Sequence, residues 1–146
     1  MSYRRHKNRL AFTLVELMVV IVIIGLLSGV VTVSVRGYLI SSKQNVAKLE
    51  ISKLVQAIET FYITLDRYPT SQEGLAVLAA KSDAFPEGLL DFLPLDPWGH
   101  SYEYVSPGRV RPFEIISYGA DHREGGSGGD TDIRSDEIQR RPGQQQ

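Results

Sequence analysis

Apolar residues follow two different patterns along the first half of the chain. From Leu17 to Val35 no charged residue occurs, and a helix of about 19 residues is long enough to cross the hydrocarbon core of a bilayer. Beyond Arg36, apolar residues recur at steps of three and four with charged residues mostly between them: Ala47, Ile51, Leu54, Ile58, Phe61 and Leu65. Together the two patterns predict one helix to about Asp66, whose first part spans a membrane and whose amphipathic second part packs on a small domain.

The long helix is predicted to end at Tyr68-Pro69, because a residue that precedes proline is pushed out of the α region. Thr70 and Glu73 then have the spacing of a capping box, in which each side chain bonds the backbone N–H of the other residue. We therefore expect a short helix over residues 70–80.

Two β-prone runs, Ser101–Val105 and Phe113–Ser117, lie in the second half of the chain. Because Pro107-Gly108 lies between them, they are predicted to form a hairpin with a fairly long connection. The sequence shows two strands and does not decide whether a third strand joins them. Residues 81–94 contain glycine and proline without a clear period and are predicted to be a loop. Asp96-Pro97-Trp98-Gly99 is interpreted as a tight turn whose aromatic ring closes the edge of the core.

Basic residues are concentrated ahead of Phe12, at Arg4, Arg5, Lys7 and Arg9. The positive-inside rule places them in the cytoplasm and the chain beyond Arg36 across the membrane, which in a bacterium is the periplasm. Without the first eleven residues, 12 basic and 17 acidic side chains remain, a net charge of −5. That balance lacks the clustered basic surface that binds nucleic acid. The absence of cysteine excludes disulfides, thiolate zinc sites and a cysteine nucleophile.

An ordinary cleaved signal and a plain uncleaved anchor are alternatives for the apolar segment. An ordinary signal has a shorter apolar region followed by a small-residue cleavage site, whereas here the small residue Ala11 precedes the apolar run. Glu16 is informative, since a carboxylate inside a membrane helix costs about 2.5 to 3.5 kcal/mol and tends to be paired or functional. Its place near the helix start equally allows the side chain to reach the membrane surface, and periodicity alone favours neither interpretation.

Residues 11–18, Ala-Phe-Thr-Leu-Val-Glu-Leu-Met, resemble the class III signal of type IV pilins and pseudopilins. The resemblance implies cleavage between Ala11 and Phe12 by a prepilin peptidase, N-methylation of Phe12, and pairing of Glu16 with the new amino terminus of a neighbouring subunit. Two positions depart from the family pattern, since Ala11 replaces the usual glycine and Val33 the usual proline. The implied division is a leader over residues 1–11, a transmembrane and assembly helix over 12–35, a periplasmic domain over 36–137 and a disordered tail over 138–146.

Motifs farther along are similar, in order, to those of the major pseudopilin of type II secretion systems: Tyr68-Pro69-Thr70, Glu73-Gly74-Leu75, Leu93-Pro94, Asp96-Pro97-Trp98-Gly99, Ser106-Pro107-Gly108 and Ser117-Tyr118-Gly119-Ala120-Asp121. The resemblance implies an α+β, type IV pilin-like fold, with a long N-terminal helix packed on a small antiparallel sheet that carries a calcium-binding loop. It also implies a single-pass subunit of the bacterial inner membrane that polymerises into a periplasmic pseudopilus and drives export of folded proteins across the outer membrane. The implied partners are further copies, minor pseudopilins, the prepilin peptidase, and an inner-membrane assembly platform with its ATPase.

The segment from Gly119 to Ile133 is acidic and rich in glycine. Its spacing does not match an EF-hand, and on the residues alone a solvated loop is favoured over a calcium site. The resemblance reverses that preference, because major pseudopilins bind one calcium in the corresponding loop. Carried over, the carboxylate ligands are Asp121, Asp130 and Asp132, and a backbone carbonyl near Ser117 completes the shell.

An enzyme is the first rival function. His100 and His122 are the candidate bases, but no nucleophile motif or metal-spaced histidine pair accompanies them, so both are interpreted as lone surface histidines. A type IV pilin for adhesion, motility or DNA uptake, or a minor pseudopilin, is the second rival. Many type IV pilins carry a C-terminal disulfide that this chain cannot form, so the major pseudopilin is favoured.

Overall fold

The computed structural model describes residues 12–139, apart from the side chains of residues 29–34. The described chain forms two compact units, which divide between Tyr38 and Leu39. The predicted leader over residues 1–11, including Ala11, lies outside the described residues, as do residues 140–146 of the predicted tail.

The first unit contains the beginning of α1, the helix Leu14–Leu65. Its apolar side chains are exposed from Leu14 through Leu27. No helix in the described part of the chain is both long enough and apolar enough to cross a membrane. The predicted span over residues 17–35 includes residues 29–34, whose side chains lie outside that part.

In the second unit, α1 buries one face, as its period of three and four predicts. Five of the six predicted positions are buried: Ala47, Ile51, Leu54, Ile58 and Phe61. Leu65 is the exception, because its side chain is 38% exposed. The helix ends at Leu65, and the next residue, Asp66, has a φ of +53°. The chain therefore turns at this point, and the buried apolar face of α1 does not extend to Leu65.

The capping box at Thr70 and Glu73 forms, but the helix predicted to follow it is shorter than expected. Thr70 N donates to Glu73 Oε2 at 2.8 Å, and Glu73 N donates to Thr70 Oγ1 at 3.2 Å. Gly74 then has a φ of +59°, a left-handed conformation that interrupts a right-handed helix. The helix α2 therefore covers only Ala76–Ala79.

The predicted hairpin is confirmed and a third strand joins it. The strands β1 (Glu103–Val105), β2 (Glu114–Ser117) and β3 (Ile133–Arg134) form one antiparallel sheet in the order β1-β2-β3. Both predicted runs began too early, because Ser101 makes only a single bridge with Leu95 and Phe113 lies before β2. The α+β class and the small antiparallel sheet are as predicted.

The core of the second unit lies between α1 and the sheet. Tyr104 and Ile115, which are paired across β1 and β2, are both buried in it, and Tyr104 Oη donates to the Pro69 carbonyl at 2.8 Å. A short helix α3, Ser135–Ile138, follows β3, and Ile138 packs against the core. The predicted tail over residues 138–146 therefore begins too early, since Ile138 belongs to the folded part of the chain.

Candidate functional site

Glu16 caps the first turn of its own helix. Thr13 N and Thr13 Oγ1 donate to Glu16 Oε2 at 2.9 and 3.0 Å, and Glu16 N donates to Thr13 Oγ1 at 3.3 Å. This reciprocal arrangement is a capping box. The sequence interpretation identified the same spacing at Thr70 and Glu73 but missed it here. Thr13 is therefore a site residue that the Thr-x-x-Glu spacing at residues 13–16 could have revealed.

The surface around this capping box is apolar and accessible. The side chain of Phe12 is 82% exposed, and those of Leu14, Val15 and Leu17 are exposed as well. Exposure of this kind indicates a surface that meets either lipid or another protein. Cleavage before Phe12 and its N-methylation remain predictions, because Ala11 lies outside the described residues.

The acidic loop leaves β2 after Ser117 and returns at β3, and its two arms are joined. Ala120 N donates to the Gly129 carbonyl at 3.0 Å. A side chain on Gly119 would lie 2.8 Å from Gly129 O and 3.0 Å from Asp130 Cα, so only glycine permits this approach. The loop thus brings Asp121 near the segment that carries Asp130 and Asp132 in the sequence.

The three predicted carboxylates lie in this loop but make different contacts. Asp121 Oδ1 accepts from Arg123 N at 3.2 Å, and Asp130 ends the single 3₁₀ turn Gly128–Asp130. Asp132 Oδ1 accepts from Gly125 N at 3.1 Å, and its Oδ2 accepts from Arg134 Nη2 at 2.8 Å. Among the described residues, no group of three or more His, Cys, Asp or Glu side chains is placed to hold a metal.

The loop therefore fits calcium in its donor types but not in its present arrangement of side chains. Calcium takes six to eight oxygens from carboxylates and carbonyls, and the loop offers both. One of the expected ligands, Asp132, instead faces a guanidinium. Ser117, whose carbonyl is the fourth predicted ligand, is fully buried at the end of β2 and pairs with Ile133.

Arg134 lies at the centre of a charge cluster that the sequence interpretation missed. Its side chain is 9% exposed, and it pairs with Glu114 at 3.1 Å, Asp132 at 2.8 Å and Glu124 at 3.3 Å. Burial lowers the pKa of Arg134, but hydrogen bonds to Glu114 and Asp132 outweigh it and leave that pKa above its ordinary value. Arg109 also donates to Glu124 at 2.7 Å, and this hydrogen bond lowers the pKa of Glu124.

The turn of residues 96–99 anchors the start of the acidic loop. Asp96 Oδ1 accepts from Trp98 N and His100 N at 3.1 and 2.8 Å, and its Oδ2 accepts from Ser117 Oγ at 2.7 Å. Trp98 packs against the core, which confirms the structural interpretation of this turn. Asp96 is nearly completely buried, so it fixes the turn to the end of β2.

The two histidines are not isolated, so their interpretation as lone residues is wrong. The rings of His100 and His122 lie 4.6 Å apart, and His122 also meets Tyr118 edge to face. The turn and the acidic loop are separated in sequence but packed together here, which is why the spacing of the two histidines gave no signal.

Comparisons with known proteins agree with this fold and with these motifs. A family model described as "Type II secretion system (T2SS), protein G" matches residues 34–136, and a model of the prokaryotic N-terminal methylation motif matches residues 6–32. The type II secretion system core protein G of Pseudomonas aeruginosa is 38% identical in an alignment that covers 88% of this chain and 96% of that protein. The protein of the same name from Vibrio cholerae is 35% identical, over 93% of this chain and 97% of that protein.

A solved structure supports the same assignment. The major pseudopilin from the type 2 secretion system of enterohaemorrhagic Escherichia coli superposes with a TM-score of 0.55 at 25% identity, covering 65% of this chain and 87% of that one. The fold, the N-terminal motif and the extent of the sequence matches agree, and the chain belongs to the type II secretion system protein G family.

Proposed function

We propose that this chain is the major pseudopilin of a type II secretion system, a structural subunit that polymerises into a periplasmic pseudopilus and drives export of folded proteins across the outer membrane. The observation that carries the proposal is the Thr13–Glu16 capping box at the head of a helix with an exposed apolar surface. Such a helix can pack against copies of itself, because lateral contact between the helices buries the apolar side chains that are otherwise exposed. The chain itself performs no covalent chemistry in this role.

We further propose that the precursor is anchored in the inner membrane by residues 12–35, with the C-terminal domain in the periplasm. A prepilin peptidase cleaves between Ala11 and Phe12, and Phe12 is then methylated at its new amino terminus. The match of residues 6–32 to the methylation motif supports this processing. Minor pseudopilins and an inner-membrane assembly platform with its ATPase are the proposed partners in polymerisation.

Glu16 is proposed to set the register between subunits. Both hydrogen bonds from Thr13 go to Oε2, so Oε1 is available to accept from a cation of another subunit. A terminal amine has a pKa of about 7.7 to 8 and is largely protonated at neutral pH. The amine of a neighbour's Phe12 can therefore pair with Glu16 and offset the desolvation of this carboxylate in an apolar bundle.

Two substitutions separate this charge from the capping role. Glu16→Gln keeps a side chain that can complete a capping box but removes the charge, whereas Glu16→Ala removes both. We expect both variants to accumulate in the membrane and to be processed, yet to yield no filaments in shearing and cross-linking assays. Glu73→Gln is the matched control, because Glu73 completes an equivalent box in the second unit, and it should assemble normally. Normal filaments from Glu16→Gln would refute the charge pairing.

We also propose that the acidic loop binds one calcium ion through Asp121, Asp130, Asp132 and the carbonyl of Ser117. When bound, the ion would neutralise the carboxylates and order the loop, which makes the subunit surface competent to polymerise. The oxygen donors and the closure of the loop by Ala120 and Gly129 support this proposal. A ligand that binds the folded state raises the unfolding midpoint, so an equal midpoint in calcium and in chelator would exclude it.

A further inference from the structure

An apolar groove of about 280 Å³ lies beside α1 in the second unit. It is lined by Leu54 of α1 and by Leu90, Phe92 and Pro94 of the loop that follows α2. The side chain of Phe92 is 73% exposed. An exposed aromatic ring next to an apolar groove indicates a surface that contacts a partner.

Three charged residues also line this groove: Glu50, Lys53 and Asp91. Glu50 accepts a hydrogen bond from Tyr102 Oη of the same chain. Asp91 is exposed and has no ion pair within residues 12–139. Because Glu50 and Lys53 balance each other in charge, Asp91 leaves the groove with a net negative charge. The groove therefore fits a partner that presents an apolar side chain next to a cation.

The connection between β1 and β2 presents such a side chain. Val110 is 69% exposed and lies between Arg109 and Arg111 in the sequence. Arg109 pairs with Glu124 at 2.7 Å. Arg111 is exposed, and no acidic side chain among the described residues pairs with it. An exposed apolar side chain and an unpaired cation are thus neighbours on this connection.

The backbone of the connection is fixed to the rest of the second unit. Ser106 N donates to Ser71 Oγ at 2.8 Å, which joins the start of the connection to the segment before α2. A side chain on Gly108 would lie 2.7 Å from the carbonyl carbon of Phe113, so the two ends of the connection pack closely. A side chain that is presented by a fixed backbone loses little conformational entropy when it binds.

We propose that Val110 of one copy of this chain occupies the groove of a second copy, and that Arg111 of the first copy pairs with Asp91 of the second. The inference rests on the proposed function, since it names a contact through which copies polymerise. A filament needs two different surfaces on every subunit that fit each other. The groove and the β1–β2 connection share no residue, so the contact is head-to-tail and leaves one groove free for the next copy.

Charge reversal in cells that assemble filaments from the full chain tests this pairing. Asp91→Arg and Arg111→Asp each place like charges in contact, so each should lower the yield of sheared filaments at least about fivefold. The double variant restores opposite charges and should return the yield to within about twofold of the original chain. Asp83→Arg is the control, because Asp83 is an exposed acid of the same loop that does not line the groove, and it should assemble normally. All of these residues are exposed, so the thermal unfolding midpoints should not change.

Cysteine cross-linking shows whether the contact joins two copies, since the chain has no cysteine of its own. Chains with Phe92→Cys and chains with Val110→Cys, expressed together, should form disulfide-linked dimers under oxidising conditions. Either chain expressed alone should give no such dimer, because each copy then lacks the opposing thiol.

The outcomes separate this contact from the proposed function. Normal filaments from Asp91→Arg, no recovery in the double variant, or no mixed dimer would overturn the contact while the original chain still polymerises. Normal filaments with lost secretion would assign the groove to a different protein and overturn the contact between copies. An original chain that forms no filaments would overturn the proposed function together with the contact.

Discussion

Removing the Asp96 carboxylate should destabilise the second unit strongly, although the sequence indicates only a turn at this position. The side chain is completely buried and accepts three hydrogen bonds, from Trp98 N, His100 N and Ser117 Oγ. Two of them close the turn, and the third joins it to the end of β2. Asp96→Ala leaves all three donors without this acceptor.

The magnitude follows from those three contacts. A hydrogen bond to a charged group contributes about 1.5 to 3 kcal/mol, and an orphaned buried donor loses a similar amount. The sum overstates the effect, because the side chain of His100 is 32% exposed and water can reach that part of the turn. We expect a loss of about 3 to 5 kcal/mol in the free energy of unfolding. For a domain of roughly 100 residues, that is a fall in the midpoint of at least about 12 °C.

Thermal unfolding of the purified full chain, followed by circular dichroism, measures this loss. Asp96→Asn is the matched variant, since its amide oxygen can still accept from both backbone amides, and it should lose less than half as much stability. Ser117→Ala removes the hydroxyl contact with Asp96 and the longer hydrogen bond that Gly119 N donates to Ser117 Oγ at 3.4 Å, and it should cost about 1 to 2 kcal/mol. If Asp96→Ala lowers the free energy of unfolding by less than about 1 kcal/mol, the anchoring role assigned to this carboxylate is wrong.

Three further substitutions, one of them a control, test the core and one pKa shift. Ile58→Ala should lower the free energy of unfolding by about 2 to 5 kcal/mol, because Ile58 is fully buried. The control is Ile63→Ala, at a position that is 80% exposed, which should change the free energy of unfolding by less than about 0.5 kcal/mol. Hydrogen bonds from Arg67 and from Thr70 N lower the pKa of Glu73 from 4.5 to about 2, so its contribution to stability is present above pH 4.5 and disappears as the pH falls to about 2. The difference in urea midpoint between the original chain and Glu73→Gln should therefore shrink over that range, and a difference independent of pH would contradict the assigned pKa.

Long-period patterns were sufficient to predict the main elements of the fold. The apolar stripe of α1 could be recognised because it repeats over several turns, so one misplaced position, Leu65, does not change the assignment. The strand β3 has only two residues, Ile133 and Arg134, which is too short to show any period. Its existence depends on pairing with β2, a tertiary contact that no local pattern contains.

The charge cluster was beyond prediction for the same reason. Glu114 and Arg134 are 20 residues apart, and they meet only because the register pairs Ile116 with Arg134. That register makes Glu114 a diagonal neighbour of Arg134, close enough for a long side chain to reach. The acidic residues of the loop could be identified in the sequence, but the pairing of Asp132 with Arg134 could not.

The two capping boxes show what is distinctive about Glu16. Thr13 and Glu16 share the hydrogen-bond pattern of Thr70 and Glu73, so the cap alone cannot distinguish them. Glu73 also accepts hydrogen bonds from Nη1 and Nη2 of Arg67, at 2.9 and 2.8 Å. Within residues 12–139, Glu16 has no such ion pair and is surrounded by exposed apolar side chains. A carboxylate that keeps its charge in an apolar bundle needs a cation, and in the proposed filament the amine of a neighbouring Phe12 is the cation that pairs with Glu16.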